Sequence, residues 1–271
     1  MLAQPRPVTA QRAALLRRQT LVRAEVGEGA EGRRVLFNTI APVYDTLNDV
    51  LSVGLHRAWK AAAVQWAALP RGGAALDVCC GSGDLALRLS EAVGPSGSVV
   101  GLDFAEAQLE RAAQRESERR GGGAASIRWL QGDAVALPFP DRSFDGATCG
   151  YGLRNVVDQA GALRELARVL RPAARLAVLD FNHSESPLTT AVQSAFLDSL
   201  VVPAARLAGA EAEYAYLKSS IAAYPTGLQL VVLAKQAGFA EATYYELAGG
   251  LMGCLVASAP GAGASTSTGE P

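Results

Sequence analysis

Histidine is almost missing from this chain, which has only His56 and His183 among its 271 residues. A metal centre built on imidazoles therefore lacks its ligands. Cysteine is scarce as well. Cys79 and Cys80 are adjacent while Cys149 and Cys254 stand alone, which suits neither a zinc motif nor a disulfide framework. The four read as small core-filling residues in a reducing compartment, and no metal is expected. Surplus charge is missing too. Twenty-five Lys and Arg offset 26 Asp and Glu, leaving a formal net charge of −1. That balance, with no Lys/Arg-rich run in the folded part, argues against a nucleic-acid partner. Long apolar runs are also lacking. The longest uncharged stretch, residues 247–269, soon turns into Gly, Ala, Ser and Thr. It is too short in apolar residues to span a bilayer, which takes about 20 of them. Contact with a membrane surface is compatible with such a chain; crossing is not expected.

What is present suits a buried globular enzyme, with 49% hydrophobic and 19% charged residues. The ends differ from the middle. Arg6, Arg12, Arg17, Arg18 and Arg23 precede the first acid, Glu25. A basic, acid-free leader of this kind reads as an organelle transit peptide over residues 1–24. It contains no serine, which departs from the usual composition, and a plain basic extension is the competing reading. Val22-Arg23-Ala24 resembles the cleavage signature of green-algal chloroplast precursors. Residues 25–33 read as a linker, 34–257 as the domain, and 258–271 as a disordered tail of Gly, Ala, Ser and Thr.

Strands and helices then alternate as in an α/β sheet. Residues 55–69 form a predicted helix with Trp59, Ala63, Trp66 and Val64 inward. Predicted strands are 74–79, 98–102, 126–131, 144–149 and 175–181, the last nearly unbroken in apolar residues, as a central parallel strand should be. Helices are expected after 84, over 106–120, and up to Pro172. Residues 188–224 look helical, with Phe196, Leu197, Leu200 and Val201 as an apolar patch. A helix at 228–237 and a hairpin of strands 240–247 and 251–257 close the chain.

The most informative stretch is Asp77-Val78-Cys79-Cys80-Gly81-Ser82-Gly83-Asp84. Strand, glycine turn and helix N-terminus make the nucleotide-binding corner of a doubly wound sheet. The spacing even fits the dinucleotide fingerprint G-x-G-x-x-A. Asp77 and Asp84, however, would set like charge beside two phosphates. A cationic ligand suits them better, and S-adenosylmethionine carries both an amino group and a sulfonium. Each later strand end then has a part to contact. Asp103, 22 residues beyond Gly81, can accept the ribose hydroxyls. Asp133, beside Ala134, can accept from the adenine amino group. Gly150 lies near the methionine end. The expected cofactor residues are Asp77, Gly81, Ser82, Gly83, Asp103, Asp133, Ala134 and Gly150.

With those residues placed, the chain resembles the quinone-biosynthesis C-methyltransferases of menaquinone, ubiquinone and phylloquinone synthesis. The resemblance covers roughly residues 33–257. It rests on Tyr44-Asp45 with Leu47-Asn48-Asp49, on His56-Arg57-Ala58-Trp59-Lys60, and on the glycine turn. Gly152-Leu153-Arg154-Asn155-Val156, Arg168 to Pro172 and Tyr216 to Ile221 add to it. In matching positions the family's cofactor contacts fall on Ser82, Asp103, Asp133 and Ala134. One departure is Ala173-Ala174, where the family has a glycine pair. Another is the hairpin, whose Gly249 to Cys254 stretch looks like the plant and algal branch. The resemblance implies an α/β, Rossmann-like class I methyltransferase with a doubly wound, mostly parallel sheet. It also implies a C-terminal antiparallel hairpin and a helical lid insertion, S-adenosylmethionine as cofactor, and a reduced prenylated naphthoquinone as substrate. A chloroplast location follows from that branch and the leader. Peripheral membrane contact and a homodimer are compatible with it.

Methylating an aromatic carbon requires an electron-rich ring, hence the quinol, and a group to take its phenolic proton. Arg154 is the first candidate for orienting the phenolate. It stays charged and is no base itself, so a water beside it would carry the proton. Tyr44 is a candidate for closing over the cofactor. His56 has the intrinsic pKa of a base, about 6.5. The plainer readings are a loop ion pair for Arg154, a packed aromatic for Tyr44 and an anchoring residue for His56. A methyltransferase for another lipophilic phenol, and an NAD-binding module, are the competing readings of the whole.

Overall fold

The computed structural model describes residues 55–119, 123–201 and 211–262. Tyr44, the leader and the linker lie outside them. The elements follow the alternation expected from sequence. Helix α1 (Leu55–Trp66) precedes strand β1 (Ala74–Val78), α2 (Asp84–Val93), β2 (Ser98–Asp103), α3 (Glu106–Glu118) and β3 (Ile127–Gln131). Then come β4 (Phe144–Gly150), α4 (Gln159–Val169) and β5 (Leu170–Phe181). Helices α5 (Pro187–Phe196), α6 (Glu211–Ala223) and α7 (Gly227–Gln236) lead to β6 (Glu241–Leu247) and β7 (Met252–Ser258).

All seven strands join one sheet in the order β3-β2-β1-β4-β5-β7-β6. β1 to β5 pair in parallel, while β7 runs antiparallel between β5 and β6. The apolar run of β5 follows from burial on both faces. Leu176 and Val178 pack into the core shared with Leu163 and Leu166 of α4 and Leu230 of α7. Ala177 and Leu179 face the other way, toward Ala63 of α1 and Leu85 of α2.

Two boundaries differ from expectation, and α1 buries two residues beyond those expected. β5 starts at Leu170 instead of Arg175, because the register against β4 jumps from Phe144↔Leu170 to Gly146↔Arg175. Ala173 sits in that irregularity with φ 62°, a conformation a side chain disfavours. On α1, Ala63 is in the core and Trp59, Val64 and Trp66 pack half-buried against it, as expected, but His56 and Lys60 are buried too; Trp66 stacks on Tyr245 of the edge strand at 5.0 Å. Finally, the fold reaches past residue 257. Ala259 N–H donates to Ala174 O at 2.9 Å, and Ala173 N–H to Pro260 O at 3.1 Å, so at least three residues of the segment read as a tail are packed.

The helical reading of 188–224 holds for α5, for the π-turn Leu197–Val201 and for α6. Residues 202–210 and the side chains of Phe196, Leu200 and Val201 lie outside the described set. Leu197 is 4% exposed and belongs to the core.

Candidate active site

The carboxyl ends of β1 to β4 open onto a cavity of about 570 Å³, within the roughly 300–1,000 Å³ common for small-molecule sites. Asp77, Gly81, Ser82, Asp103, Asp133, Ala134 and Gly150 all line it. Residues from four strand ends thus converge on one space. Gly83 does not line it. A Cβ there would stand 2.6 Å from the Trp129 ring and 3.0 Å from Ala112, so this glycine serves helix–sheet packing. Gly81 is the glycine that leaves ligand room: its φ is +52°, and a Cβ would find its nearest atom, Gln108 Oε1, at 3.9 Å. An open cradle above a left-handed turn, ringed by polar groups, fits an adenosyl amino acid.

The turn is held from below. Asp103 Oδ2 accepts from Gly81 N–H at 2.8 Å and Oδ1 from Ala105 N–H at 2.9 Å. Burial pushes its pKa up, opposed by the backbone donors Ala105, Gly81 and Phe104. With these three donors on its roughly four lone-pair sites, the carboxylate keeps one for a ribose hydroxyl. Asp133 stands exposed at the rim, one oxygen taken by Val135 N–H at 3.1 Å.

Asp77 and Asp84 behave differently from the sequence argument about like charge. Asp77 is fully buried, accepting from Ala86 N–H at 2.9 Å and Thr148 Oγ1 at 2.7 Å. Burial raises its pKa to about 7, against those two hydrogen bonds. Asp84 is also pushed up by burial, but Lys60 and then Arg115 outweigh this and hold it below the usual carboxylate range. Neither acid therefore presents an uncompensated charge to a ligand. The sheet order, with an antiparallel strand between β5 and β6, separates this fold from a dinucleotide-binding domain more firmly than the two acids do.

Arg154 is placed behind the cavity wall. Its guanidinium, 5% exposed, pairs with the 3% exposed Asp180 at 2.7 Å and lies over the Phe181 ring at 5.4 Å. It also bonds Tyr151 O. The next residue, Asn155, lines the cavity, with Nδ2 donating to Tyr151 O at 3.2 Å and Oδ1 accepting from Tyr216 at 3.0 Å. His56 is buried on the inward face of α1 and is not among the cavity-lining residues. His183 bonds Tyr224 O away from the cavity.

Sequence reasoning missed Lys60 and Asn155 as cavity residues, while Tyr151 lines it as its place at the end of β4 suggests. The signal for Lys60 was its spacing, four residues after His56 and three before Ala63, on one helical face. Cys79 also lines the cavity. Its thiol is pushed well up by a hydrogen bond with Cys149 and by burial, so it stays protonated and is a poor nucleophile. Among the described residues no group of three or more potential metal ligands occurs.

Comparison with known proteins bears on the family and the fold. A model of the ubiE/COQ5 methyltransferase family matches residues 27–258. The chain is 51% identical over 241 residues to the chloroplastic 2-phytyl-1,4-beta-naphthoquinone methyltransferase of Arabidopsis thaliana, covering 89% of this chain and 90% of that one. It is 53% identical over 224 residues to the 2-phytyl-1,4-naphtoquinone methyltransferase of Synechococcus elongatus, covering 83% and 95%. Among solved structures, a SAM-dependent methyltransferase from Aquifex aeolicus matches with a TM-score of 0.54 at 20% identity, covering 73% of this chain and 88% of that one; that likeness concerns the fold.

Proposed function

The chain belongs to the ubiE/COQ5 methyltransferase family, and from that premise we propose that it methylates a ring carbon of reduced 2-phytyl-1,4-naphthoquinone in phylloquinone biosynthesis, using S-adenosylmethionine. The observation that carries the reading is one cavity in which Gly81, Asp103 and Asp133 meet Tyr151 and Asn155, in a chain 51% identical to a relative named for that substrate. Bound over the Gly81 turn, S-adenosylmethionine supplies an electrophilic methyl group. Asp103 would hold the ribose, Asp133 and Ala134 the adenine, and Gly150 the methionine end.

The chain's own task is to bring the quinol carbon to that end and to take up a phenolic proton. Holding the two reactants together can contribute roughly 7–11 kcal/mol. Asn155 offers an amide to the substrate's oxygens, and Arg154 positions it through Tyr151 O. Asp180 neutralises Arg154 where it stands, so stabilising a phenolate through Arg154 requires a water or a shift of this pair. Tyr44, outside the described residues, keeps its proposed role of closing over the cofactor, whereas His56, buried and outside the cavity lining, fits the plainer reading of a residue that anchors α1.

A plastid location is supported by the acid-free leader and by the chloroplastic relative, while the cyanobacterial relatives show that this kind of enzyme also works outside plastids. No helix among the described residues is long and apolar enough to cross a membrane. The phytylated substrate would be drawn from a membrane surface, and α5 with the following turn would form the lid over its tail. Leu188 and Val192 expose 75% and 50% of their surface on α5, the apolar face such a lid needs.

Methyl-labelled S-adenosylmethionine, incubated with a panel of demethylquinones with and without dithionite, tests the reading. Turnover should require the reductant, because only the quinol ring is electron-rich. Equal rates from the oxidised quinone would remove the mechanism, and preference for another ring would replace the substrate.

A further inference from the structure

Lys60 is 6% exposed, yet it lines the cavity with its Nζ 5.6 Å from the centre of the Tyr151 ring, which lines it too. Burying an ammonium is costly unless a partner compensates. The partner at hand is Asp84, which Lys60 bonds. That carboxylate, however, is already met from the other side by Arg115, which also bonds Ser82 O and Ser82 Oγ, both at 2.9 Å. Two cations thus face one carboxylate at the start of α2. Asp77 is the other acid near Lys60, and burial holds it toward its neutral form. Lys60 is the member of this cluster that reaches the cavity, beside walls made of Cys79, Leu85 and Tyr151, whereas Arg115 is not among the lining residues.

We propose that Lys60 holds the carboxylate of the cofactor's amino-acid end, with Asp84 keeping the ammonium aimed into the cavity. This rests on S-adenosylmethionine being the cofactor. The carboxylate is that molecule's one anionic group, and Lys60 is the one cationic side chain among the described residues that line the cavity. The inference also gives the His56-Arg57-Ala58-Trp59-Lys60 helix a function: α1 brings a cation from outside the nucleotide-binding motifs to close the methionine end.

Calorimetry with two ligands tests it: S-adenosylhomocysteine, and its decarboxylated analogue, which keeps the adenosine, sulfur and amine. The unaltered protein should bind the first at least tenfold more tightly. Lys60→Met should weaken S-adenosylhomocysteine tenfold or more and leave the analogue within about twofold, so that the preference disappears. Binding of the analogue also reports that the variant is folded. Three results overturn the proposal: equal affinities in the unaltered protein, which needs no variant; an equal loss for both ligands in Lys60→Met, the mark of a merely structural ion pair; or no loss for either. Failure of the unaltered protein to bind S-adenosylhomocysteine at all would overturn the cofactor reading instead, and this proposal with it.

Discussion

Ala173 occupies a left-handed backbone position, φ 62°, where the resemblance calls for glycine. A Cβ in that conformation costs roughly 1–2 kcal/mol, offset partly by the looser unfolded chain that glycine brings. Ala173→Gly should therefore stabilise the fold by about 0.5–1 kcal/mol, a rise of about 1–4 °C in Tm for a domain of this size, read by thermal unfolding. An unchanged or lower Tm would show that the bulge relaxes around the methyl group. Asp103 is the opposite case, a side chain whose removal should cost affinity. It ties Gly81 and Ala105 by their N–H groups and still faces the cavity. Asp103→Ala should weaken S-adenosylhomocysteine by about 1.5–3 kcal/mol, the scale for hydrogen bonds to a charged group. Unaltered affinity by calorimetry would take Asp103 out of the site.

Elements are coupled here through a buried acid. Asp77 on β1 receives Ala86 N–H from α2 and Thr148 Oγ1 from β4, so one side chain ties two strands and a helix. Its pKa is raised from 3.8 to about 7 by burial. The folded state therefore binds a proton that the unfolded state has released between those values. Stability from this group is complete below about 3.8 and is lost as pH rises toward 7. Asp77→Asn can keep both bonds, its amide oxygen accepting from Ala86 and its NH2 donating to Thr148. The variant should gain on the parent by an amount on the order of a few kcal/mol between pH 5 and 7. Urea unfolding at several pH values measures this, and parallel curves would rule it out. Helix α5 offers a test of a different kind. Leu188 and Val192 are exposed, so replacing each by Asp should change stability by no more than about 0.5 kcal/mol. If α5 covers the phytyl tail, these variants lose turnover with the phytylated quinol and keep it with a tail-less naphthoquinol. Equal turnover on both substrates would return α5 to plain surface.

At the scale of the molecule, the sheet order accounts for why distant residues become one site. β1 and β4 are neighbours although about 70 residues apart, pairing Val78 with Cys149. That pairing carries Gly81 and Gly150 to the same cavity. β2 and β3 lie on the far side of β1 and bring Asp103 and Asp133. The α/β alternation, the glycine turn and the acid at the end of β2 were legible in the chain because each rests on local physics. Apolar periodicity marks a strand, a glycine permits a left-handed turn, and a carboxylate just beyond a strand sits at its carboxyl end. What tertiary structure alone decided is which of these groups carry charge into the site. Asp77 and Asp84 looked alike in sequence, yet burial drives one toward neutrality while Lys60 and Arg115, 24 and 31 residues away from Asp84, hold the other ionised. Arg154 looked available and is held by Asp180, 26 residues further on; Gly83 looked like ligand space and is filled by Trp129. Local pattern determines where a side chain lies along an element, whereas its solvation and its partners depend on which elements the fold packs beside it.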